Sequence, residues 1–331
     1  MKGLKVLSLF DGMSCGQIAL ERAGFKIDTY YASEIKEEGI RVTQDNYPNT
    51  IQLGSVTELS GDTLPKIDIL IGGSPCQNLS MAMAKKHRKG LEGDKSGLFY
   101  EYYRLLQETK PKHFLLENVG GMAKKDKEII TELLGVEPIK INSKAVSGQL
   151  RNRLYWTNIP NITQPVDKGI NLNDILVDGW SDREKARCLL ESDSRPLKNP
   201  LKMFHRYYST GFTTLIFKSK QHYKDCVEHY DKHFKGMSAK EIEATGINSN
   251  VYEGLRYLYQ EELEALQTVP KGYTKELTRN QAAGILGDGW TVDAISHILS
   301  FMEVSEEKED YTYKEVNDEI HNDLYIQEVS L

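Results

Sequence analysis

The sequence predicts an α/β fold, in which an open sheet carries helices on both faces. Two observations lead to this prediction. Strand-like and helix-like segments alternate through residues 1–160, which is the pattern of a doubly wound sheet. The alternation stops in residues 161–254, and helical periodicity returns in residues 255–302. We therefore predict a main domain of residues 1–160 plus 255–302, with a smaller, irregular domain of residues 161–254 inserted before the C-terminal helices.

The elements of the main domain follow from their apolar patterns, taken in chain order. A buried strand over 6–10 leads through a turn into a short helix over 17–23, which ends at Gly24 because glycine tolerates the left-handed conformation of a helix C-terminus. Ser96 is a candidate cap for a helix over 97–109. Further strands are predicted at 29–33, 67–71, 113–117 and 154–157, and further helices at 256–267 and at 278–302 with an interruption at 287–289.

Charge is distributed unevenly along the 331 residues. The net charge of −6 argues, taken alone, against a nucleic-acid partner, because affinity for phosphate requires positive charge. Residues 303–331 carry 10 acidic and 2 basic side chains, so this acidic tail supplies more than the whole deficit. We predict that the tail is a solvated extension away from the functional face. The rest of the chain is compatible with a nucleic-acid partner.

The cysteines and the apolar content argue against several classes of protein. Cys15, Cys76, Cys188 and Cys226 form no CxxC pair, so neither a disulfide framework nor a metal site is predicted. The first apolar run is too short for a signal peptide, and no stretch approaches the roughly 20 apolar residues of a membrane span. We expect a cytoplasmic protein with no membrane partner, in the form of a monomer or, as the alternative, a dimer.

The loop from Phe10 to Gly16 lies where the first strand leads into the first helix. Glycines there allow close approach to a ligand, and the spacing of Gly12 and Gly16 differs from the GxGxxG pattern of dinucleotide sites. Glu34, at the end of the second strand, is placed to accept hydrogen bonds from ribose hydroxyls. The pattern favours a cofactor without phosphates, and an ordinary strand–turn–helix is the alternative.

Cys76 follows a buried strand, at the edge of the sheet where α/β proteins bind ligands. Pro75 stiffens the turn before it, and a thiolate at such a turn can act as a nucleophile. A buried structural cysteine is the alternative. The basic run over 85–89 is either a solvated loop or a lid that contacts phosphates.

Polar residues also end the next strand and precede the one after it. Glu117 ends a neighbouring strand, beside Cys76, where a carboxyl group could donate a proton. Gln149, Arg151 and Arg153 share one face of an extended segment, so their side chains need anionic or carbonyl partners. A surface hairpin is the alternative for that segment.

These motifs, in this order, resemble the C5-cytosine-specific DNA methyltransferase family of bacteria and phages. The resemblance extends over nearly all of residues 4–302, and its central part is similar to the animal de novo methyltransferases. It rests on Phe10, Asp11, Gly12 and Gly16, on Glu34, on Pro75-Cys76-Gln77, on Glu117-Asn118-Val119, on Gln149, Arg151 and Arg153, on Arg256, Glu262 and Pro270, and on residues 287–292.

The resemblance implies a Rossmann-like sheet that binds S-adenosylmethionine and releases S-adenosylhomocysteine. It also implies double-stranded DNA as the partner, with the target cytosine flipped out of the duplex. Cys76 would add to C6 of the base, Glu117 would contact N3 and the exocyclic amine, and Arg153, supported by Arg151, would hold O2. Residues 161–254 would be the target-recognition domain.

The resemblance assigns further residues to the two ligands. Those expected at the cofactor are Phe10, Asp11, Gly12, Cys15, Gly16, Glu34, Ile35, Pro75, Leu98, Asp288 and Trp290. Those expected at DNA are Gln77, Ser80, Lys85, Arg88, Gln149 and Thr214.

Three positions depart from the family pattern. Ser55 stands where the family usually has an acid that accepts from the adenine amine, Asp288 stands where Asn is frequent, and Gln260 stands where Pro is frequent. Because none of them is Cys76, Glu117 or Arg153, we predict an active DNA (cytosine-5-)-methyltransferase. A tRNA methyltransferase of the same fold and a weakly active protein that binds cofactor and DNA are the alternatives, and the missing GxGxxG pattern disfavours a nicotinamide oxidoreductase.

Overall fold

A seven-stranded sheet forms the centre of the computed structural model, which describes residues 3–75, 79, 90–93, 96–247 and 249–303. The strands are β1 (Leu4–Leu9), β2 (Ile27–Ser33), β3 (Ile51–Gln52), β4 (Ile69–Gly72), β5 (His113–Val119), β6 (Ile139–Asn142) and β7 (Asn152–Thr157). Their order across the sheet is β3-β2-β1-β4-β5-β7-β6. The first five strands are parallel, and β7 is antiparallel to both of its neighbours. The predicted α/β class is confirmed.

The helices lie between and after the strands. They are α1 (Cys15–Arg22), α2 (Glu37–Asn46), α3 (Phe99–Thr109), α4 (Lys124–Leu134), α5 (Leu172–Ile175), α6 (Pro200–Thr210), α7 (Lys220–His233), α8 (Ala239–Ala244), α9 (Gln260–Leu266), α10 (Arg279–Asp288) and α11 (Val292–Leu299). Within the described ranges, none of them has the length and apolarity that a membrane span requires.

The side chains of the central strands point alternately into two hydrophobic layers, one on each face of the sheet. In β4, Ile69 and Ile71 point to the layer that contains α1, α10 and α11, whereas Leu70 points to the layer that contains α3 and α4. All three side chains are fully buried. Successive strand residues face opposite sides of a sheet, and helices cover both sides here. The continuous apolar runs of the central strands are therefore explained by burial on both faces.

The structure corrects several predicted boundaries. Helix α3 begins at Phe99 after a single 3₁₀ turn, two residues later than the cap predicted at Ser96 implied. Helix α9 begins at Gln260 rather than at 256, because the backbone of Arg256 instead pairs with Ile216. An interruption was predicted at 287–289, but α10 continues through Asp288 and the break before α11 lies at 289–291. The acidic tail from 304 onward lies outside the described residues.

The segment predicted to be irregular contains four helices, α5, α6, α7 and α8, and a hydrophobic cluster of its own. Phe204 is fully buried in this cluster, and its ring lies 5.4 Å from that of Tyr230 and 5.2 Å from that of Tyr252. Sequence periodicity did not reveal α6, α7 and α8 because each buries few residues, half of them in total aromatic, among many charged side chains. Their buried faces carry few of the aliphatic repeats on which periodicity depends.

A buried ion pair attaches this segment to the returning helices. Both carboxylate oxygens of Glu262, a fully buried residue, accept from the Arg256 guanidinium at 2.8 Å. The same carboxylate accepts from the backbone N–H groups of Val177 and Tyr259. Arg256 also pairs with Asp178. Glu262 therefore joins the backbone at Val177 to residues 256–262, two stretches that are distant in sequence.

We expect Glu262→Gln to lower the free energy of unfolding by about 3 kcal/mol, because it leaves a largely buried guanidinium without its carboxylate. Urea denaturation followed by circular dichroism measures the change. Glu261→Gln in the same helix is the control, since its carboxylate forms a surface pair with Lys271 and such pairs are worth at most about 1 kcal/mol. Equal stabilities of the two variants would contradict the role given to the buried pair.

Candidate active site at the carboxyl edge of the sheet

The chain reverses direction across the sheet between β1 and β4. From β1 it proceeds outward to β2 and β3, and it then returns to form β4 on the other side of β1. The chain after β1 and the chain after β4 consequently lead to helices on opposite faces of the sheet, and open α/β sheets bind ligands in the crevice between two such connections. The loops that follow these two strands contain Phe10–Gly16 and Gly73–Pro75.

The loop after β1 has an unusual backbone conformation. Phe10, Gly12 and Ser14 have φ values of 56°, 63° and 57°, so two residues other than glycine occupy the left-handed region. Such strain persists only where the surroundings enforce it, and it is concentrated at functional sites. The Asp11 carboxylate accepts from the Ser14 hydroxyl at 2.5 Å and from the Tyr30 hydroxyl at 2.8 Å, and burial raises its pKa. Asp11 thus fixes the loop through buried hydrogen bonds to Ser14 and Tyr30.

Glu34 supports the same loop from the other side. One carboxylate oxygen accepts from the backbone N–H of Gly12 at 2.7 Å, and the other accepts from the N–H groups of Ile35 and Lys36 at 2.8 Å. A carboxylate has about four acceptor positions, so one remains for a ligand. The neighbouring Ile35 side chain is 71% exposed. A rigid carboxylate beside an exposed aliphatic side chain suits a ribose with an attached aromatic base.

Other residues predicted at the cofactor have different environments. Cys15 is buried, and burial raises the pKa of its thiol to about 12, so it is not a nucleophile. Asp288 forms an ion pair with Lys36, so its carboxylate already has a cationic partner. Leu98 is half-buried and packs against the α3 side of the core. Ser55 caps its own 3₁₀ turn by accepting from the N–H of Thr57.

Glu117 and Arg153 form a buried pair at the ends of β5 and β7. The Arg153 Nε lies 2.6 Å from Glu117 Oε1, and the two side chains are only 12% and 11% exposed. The antiparallel register opposes Val119 to Arg153, which brings the two side chains to the same edge. The pair combines a carboxylate with guanidinium N–H groups, a set that can bind a cyclic amide through several hydrogen bonds.

Two contacts connect this pair to the rest of the crevice. The Asn118 side chain donates to the Ser74 carbonyl at 3.3 Å and to its hydroxyl at 3.1 Å, which fixes the segment just before Pro75. At Gly73, a Cβ atom would lie 2.8 Å from Trp290 Nε1 and 3.0 Å from Glu117 Oε2. A side chain at this position would therefore collide with both Trp290, predicted at the cofactor, and Glu117, predicted at the target base.

Gln149 and Arg151 do not reach the crevice surface. Gln149 is fully buried and donates to the Leu266 carbonyl at 2.6 Å, which speaks against the predicted DNA contact. Arg151 is 2% exposed and donates to the carbonyls of Leu189 and Gly289 at 3.0 and 2.6 Å. The predicted shared face exists, but other segments of the chain cover it. The side chain of Arg151 therefore bonds to the interior of the chain rather than facing the crevice.

Some predicted residues lie outside the described part of the chain, namely Cys76, Gln77, Ser80, Lys85 and Arg88. Pro75, the last described residue before them, is half-buried. It lies two residues after Gly73, the glycine beside Glu117. Their roles remain predictions.

A hollow between the crevice and the segment 200–255 contains residues that sequence reasoning missed. It is lined in part by Arg187, Cys188, Phe212 and Thr214. The Thr214 hydroxyl accepts from the backbone N–H of Arg187 at 2.9 Å. Phe212, two residues before Thr214, is 78% exposed. Cys188 contacts both Arg151 and Arg153. Because no motif surrounds Cys188 or Phe212, only the fold reveals their proximity to the site.

Comparisons with solved structures agree with this fold. DNMT2 from Spodoptera frugiperda superposes with a TM-score of 0.64 at 17% identity, over 90% of this chain and 99% of that one. The methyltransferase EhMeth from Entamoeba histolytica gives 0.64 at 17% identity, over 91% and 98%. The chain thus shares the fold of these two proteins.

Sequence comparison gives a more specific similarity. Residues 4–136 match the family model described as C-5 cytosine-specific DNA methylase, in agreement with the resemblance predicted from the motifs. The type II methyltransferase M.NgoBV of Neisseria gonorrhoeae is 29% identical over 267 residues, which are 73% of this chain and 59% of that protein. The orphan methyltransferase M.SPRI of Bacillus phage SPR is 27% identical over 76% of this chain and 57% of that protein. The chain therefore spans less than three fifths of the length of these relatives.

Proposed function

We propose that this chain is a DNA (cytosine-5-)-methyltransferase that transfers a methyl group from S-adenosylmethionine to C5 of a flipped-out cytosine. The observation that carries the proposal is the buried Glu117–Arg153 pair, which adjoins Trp290 across Gly73 at the carboxyl edge of the sheet. A carboxyl group and a guanidinium side by side complement the N3, amine and O2 edge of cytosine.

The chemistry assigned to the site begins at Cys76. Its thiolate adds to C6 of the ring and forms a covalent S–C bond, while the displaced electrons gather on N3 and O2. Glu117 supplies a proton or a hydrogen bond to N3, and Arg153 binds O2, so both stabilise the charge as it develops. After C5 has gained its methyl group, a base, in the simplest case water, removes the C5 proton and Cys76 leaves.

The cofactor would lie over the β1 loop. Glu34 would bind the ribose, Ile35 and Phe10 would contact the adenine, and Trp290 would line the methionine end. The fit rests on the spare acceptor position of Glu34, the exposed Ile35 side chain and the space left by Gly73. When bound, S-adenosylmethionine supplies the electrophilic methyl group. The protein's part is to orient that group toward the base beside Glu117.

Residues 161–254 would recognise the DNA. Supporting this assignment, the hollow lined by Arg187, Phe212 and Thr214 adjoins Cys188, a neighbour of Arg153. An exposed aromatic ring beside a cation suits contact with bases and phosphates.

The test of the proposal is transfer of a labelled methyl group from S-adenosylmethionine to duplex DNA and, in parallel, to tRNA. Label in DNA at cytosine C5 is expected, and bisulfite sequencing of DNA from cells that express the protein would give the target sequence. Label in tRNA alone would favour the RNA-modifying alternative. Cofactor binding with no label in any substrate would refute the enzymatic proposal.

The tight contact between α2 and the β1 loop yields a prediction for cofactor binding. A Cβ atom at Gly39 would lie 2.2 Å from the Gly12 carbonyl oxygen, so Gly39→Ala must displace the loop. Overpacking of this kind costs about 1–3 kcal/mol, which corresponds to roughly ten- to hundredfold weaker S-adenosylmethionine binding. Calorimetry measures the affinity, and Glu37→Ala, an exposed neighbour in α2, is the control. Unchanged affinity would show that the loop does not hold the cofactor.

A further inference from the structure

Cys188 occupies a position between the two arginines that precede and begin β7. Its Sγ accepts from Arg151 Nη1 at 3.3 Å and from Arg153 Nη2 at 3.9 Å. The same sulfur lies 3.4 Å from the Leu189 carbonyl, to which a neutral thiol would donate. One side of the residue faces the hollow described above. The thiol thus contacts the guanidinium that holds Glu117.

Among the described residues, the charges around Cys188 do not balance if its thiol is neutral. Arg151 and Arg153 contribute two positive charges, and Glu117 contributes one negative charge, bound to Arg153. Arg151 is 2% exposed and donates to the carbonyls of Leu189, Gly287 and Gly289. No carboxylate of the described residues lies within 4.0 Å of its guanidinium. A buried cation without a counter-ion is costly, and Cys188 is the ionisable group in contact with it.

We propose that Cys188 is present as a thiolate, and that it is a positioning residue which balances the two guanidinium charges and holds Arg153 against Glu117. The inference rests on the proposed function, because positioning matters there through the contact of Arg153 with the base. Cys188 forms no bond to the substrate and exchanges no electrons. Its role is electrostatic.

The electrostatic surroundings are consistent with this role. Burial alone would raise the pKa of Cys188, but Arg151 and Arg153 outweigh burial and bring the pKa below its ordinary value. The other charged groups that line the hollow are Arg187, Asp193 and Arg279. The two cations outnumber the single carboxylate among them, so the wider surroundings do not oppose a thiolate.

The first experiment measures ionisation directly, by the ultraviolet absorbance of the thiolate as a function of pH. It uses the full chain carrying Cys76→Ala, compared with the same chain carrying Cys188→Ser in addition. Cys15 and Cys226 contribute nothing below pH 9, because burial raises the pKa of both thiols to about 12. We expect a step below the ordinary thiol pKa of about 8.5 that disappears in the double variant. A step at or above that value would overturn the proposal.

The second experiment separates charge from shape by measuring single-turnover methyl transfer. Serine matches the shape of cysteine but does not ionise, whereas aspartate restores the negative charge. We expect Cys188→Ser to slow transfer roughly tenfold or more and Cys188→Asp to recover most of the loss. A merely structural role gives the reverse order, with serine above aspartate, and that order would overturn the proposal. Because the titration uses no substrate, failure of the proposed function would leave its result unaffected.

Discussion

Replacing Cys76 with alanine is expected to abolish methyl transfer to DNA while leaving S-adenosylmethionine binding nearly intact. The proposed reaction requires a covalent bond from this thiolate to C6, because the ring carbon C5 is not nucleophilic enough without it. Loss of a catalytic nucleophile lowers turnover by several orders of magnitude, and we expect a fall of at least about a thousandfold. The cofactor, by contrast, would be held by residues of other loops, including Glu34 and Trp290.

Three measurements test this expectation. Labelled methyl transfer gives the activity, calorimetry gives the cofactor affinity, and DNA containing 5-fluorocytosine traps the covalent adduct, whose attachment to Cys76 peptide mapping would identify. Cys226→Ser is the matched control, because Cys226 belongs to the separate aromatic cluster and serine keeps its hydrogen bond to the Val251 carbonyl. If Cys76→Ala retains transfer, or if the trapped adduct maps to another cysteine, the assignment of the nucleophile is wrong.

The strands of the sheet were predictable because burial on both faces gives each central strand a continuous run of apolar residues. Continuous apolar runs such as 67–71 and 113–117 appear as β4 and β5, and their polar ends meet at one edge, as the parallel topology requires. The pairing of β5 with an antiparallel β7 was not predictable, since it depends on contacts between residues far apart in sequence. It is this pairing that brings Arg153 to Glu117.

The residues around the site were predictable only where a motif includes them. Glu34, Glu117 and Arg153 belong to motifs, and the structure brings each of them to the crevice edge. Gln149 belongs to a motif as well, but its side chain forms hydrogen bonds inside the protein. Leu266 and Gln267 accept these bonds and cover the face that Gln149 shares with Arg151. Cys188 approaches the arginines through a parallel bridge between Gln149 and Ala186, a contact that leaves no periodic trace in the sequence.

Glu117→Gln is expected to lower the rate of methyl transfer by roughly a hundred- to ten-thousandfold. The amide has nearly the same shape, and its oxygen can still accept from Arg153 Nε, so the pair remains connected. It cannot supply a proton to N3 as charge develops there, and therefore the attack of Cys76 on C6 slows. The defect should appear as slow formation of the covalent complex, measured in a single turnover at saturating DNA and cofactor.

Comparison with Arg153→Lys distinguishes the contribution of the guanidinium from that of the Glu117 carboxyl group. Lysine keeps the positive charge but lacks the planar fork that can contact O2 and Glu117 together, so we expect a loss of activity with a weaker effect on the protonation step. Glu128→Gln, an exposed member of a surface pair with Lys124, is the control and should transfer at the wild-type rate. Wild-type rates of covalent complex formation in Glu117→Gln would exclude the carboxyl group from the attack. The thiolate of Cys76 and the guanidinium of Arg153 would then have to activate the ring without it.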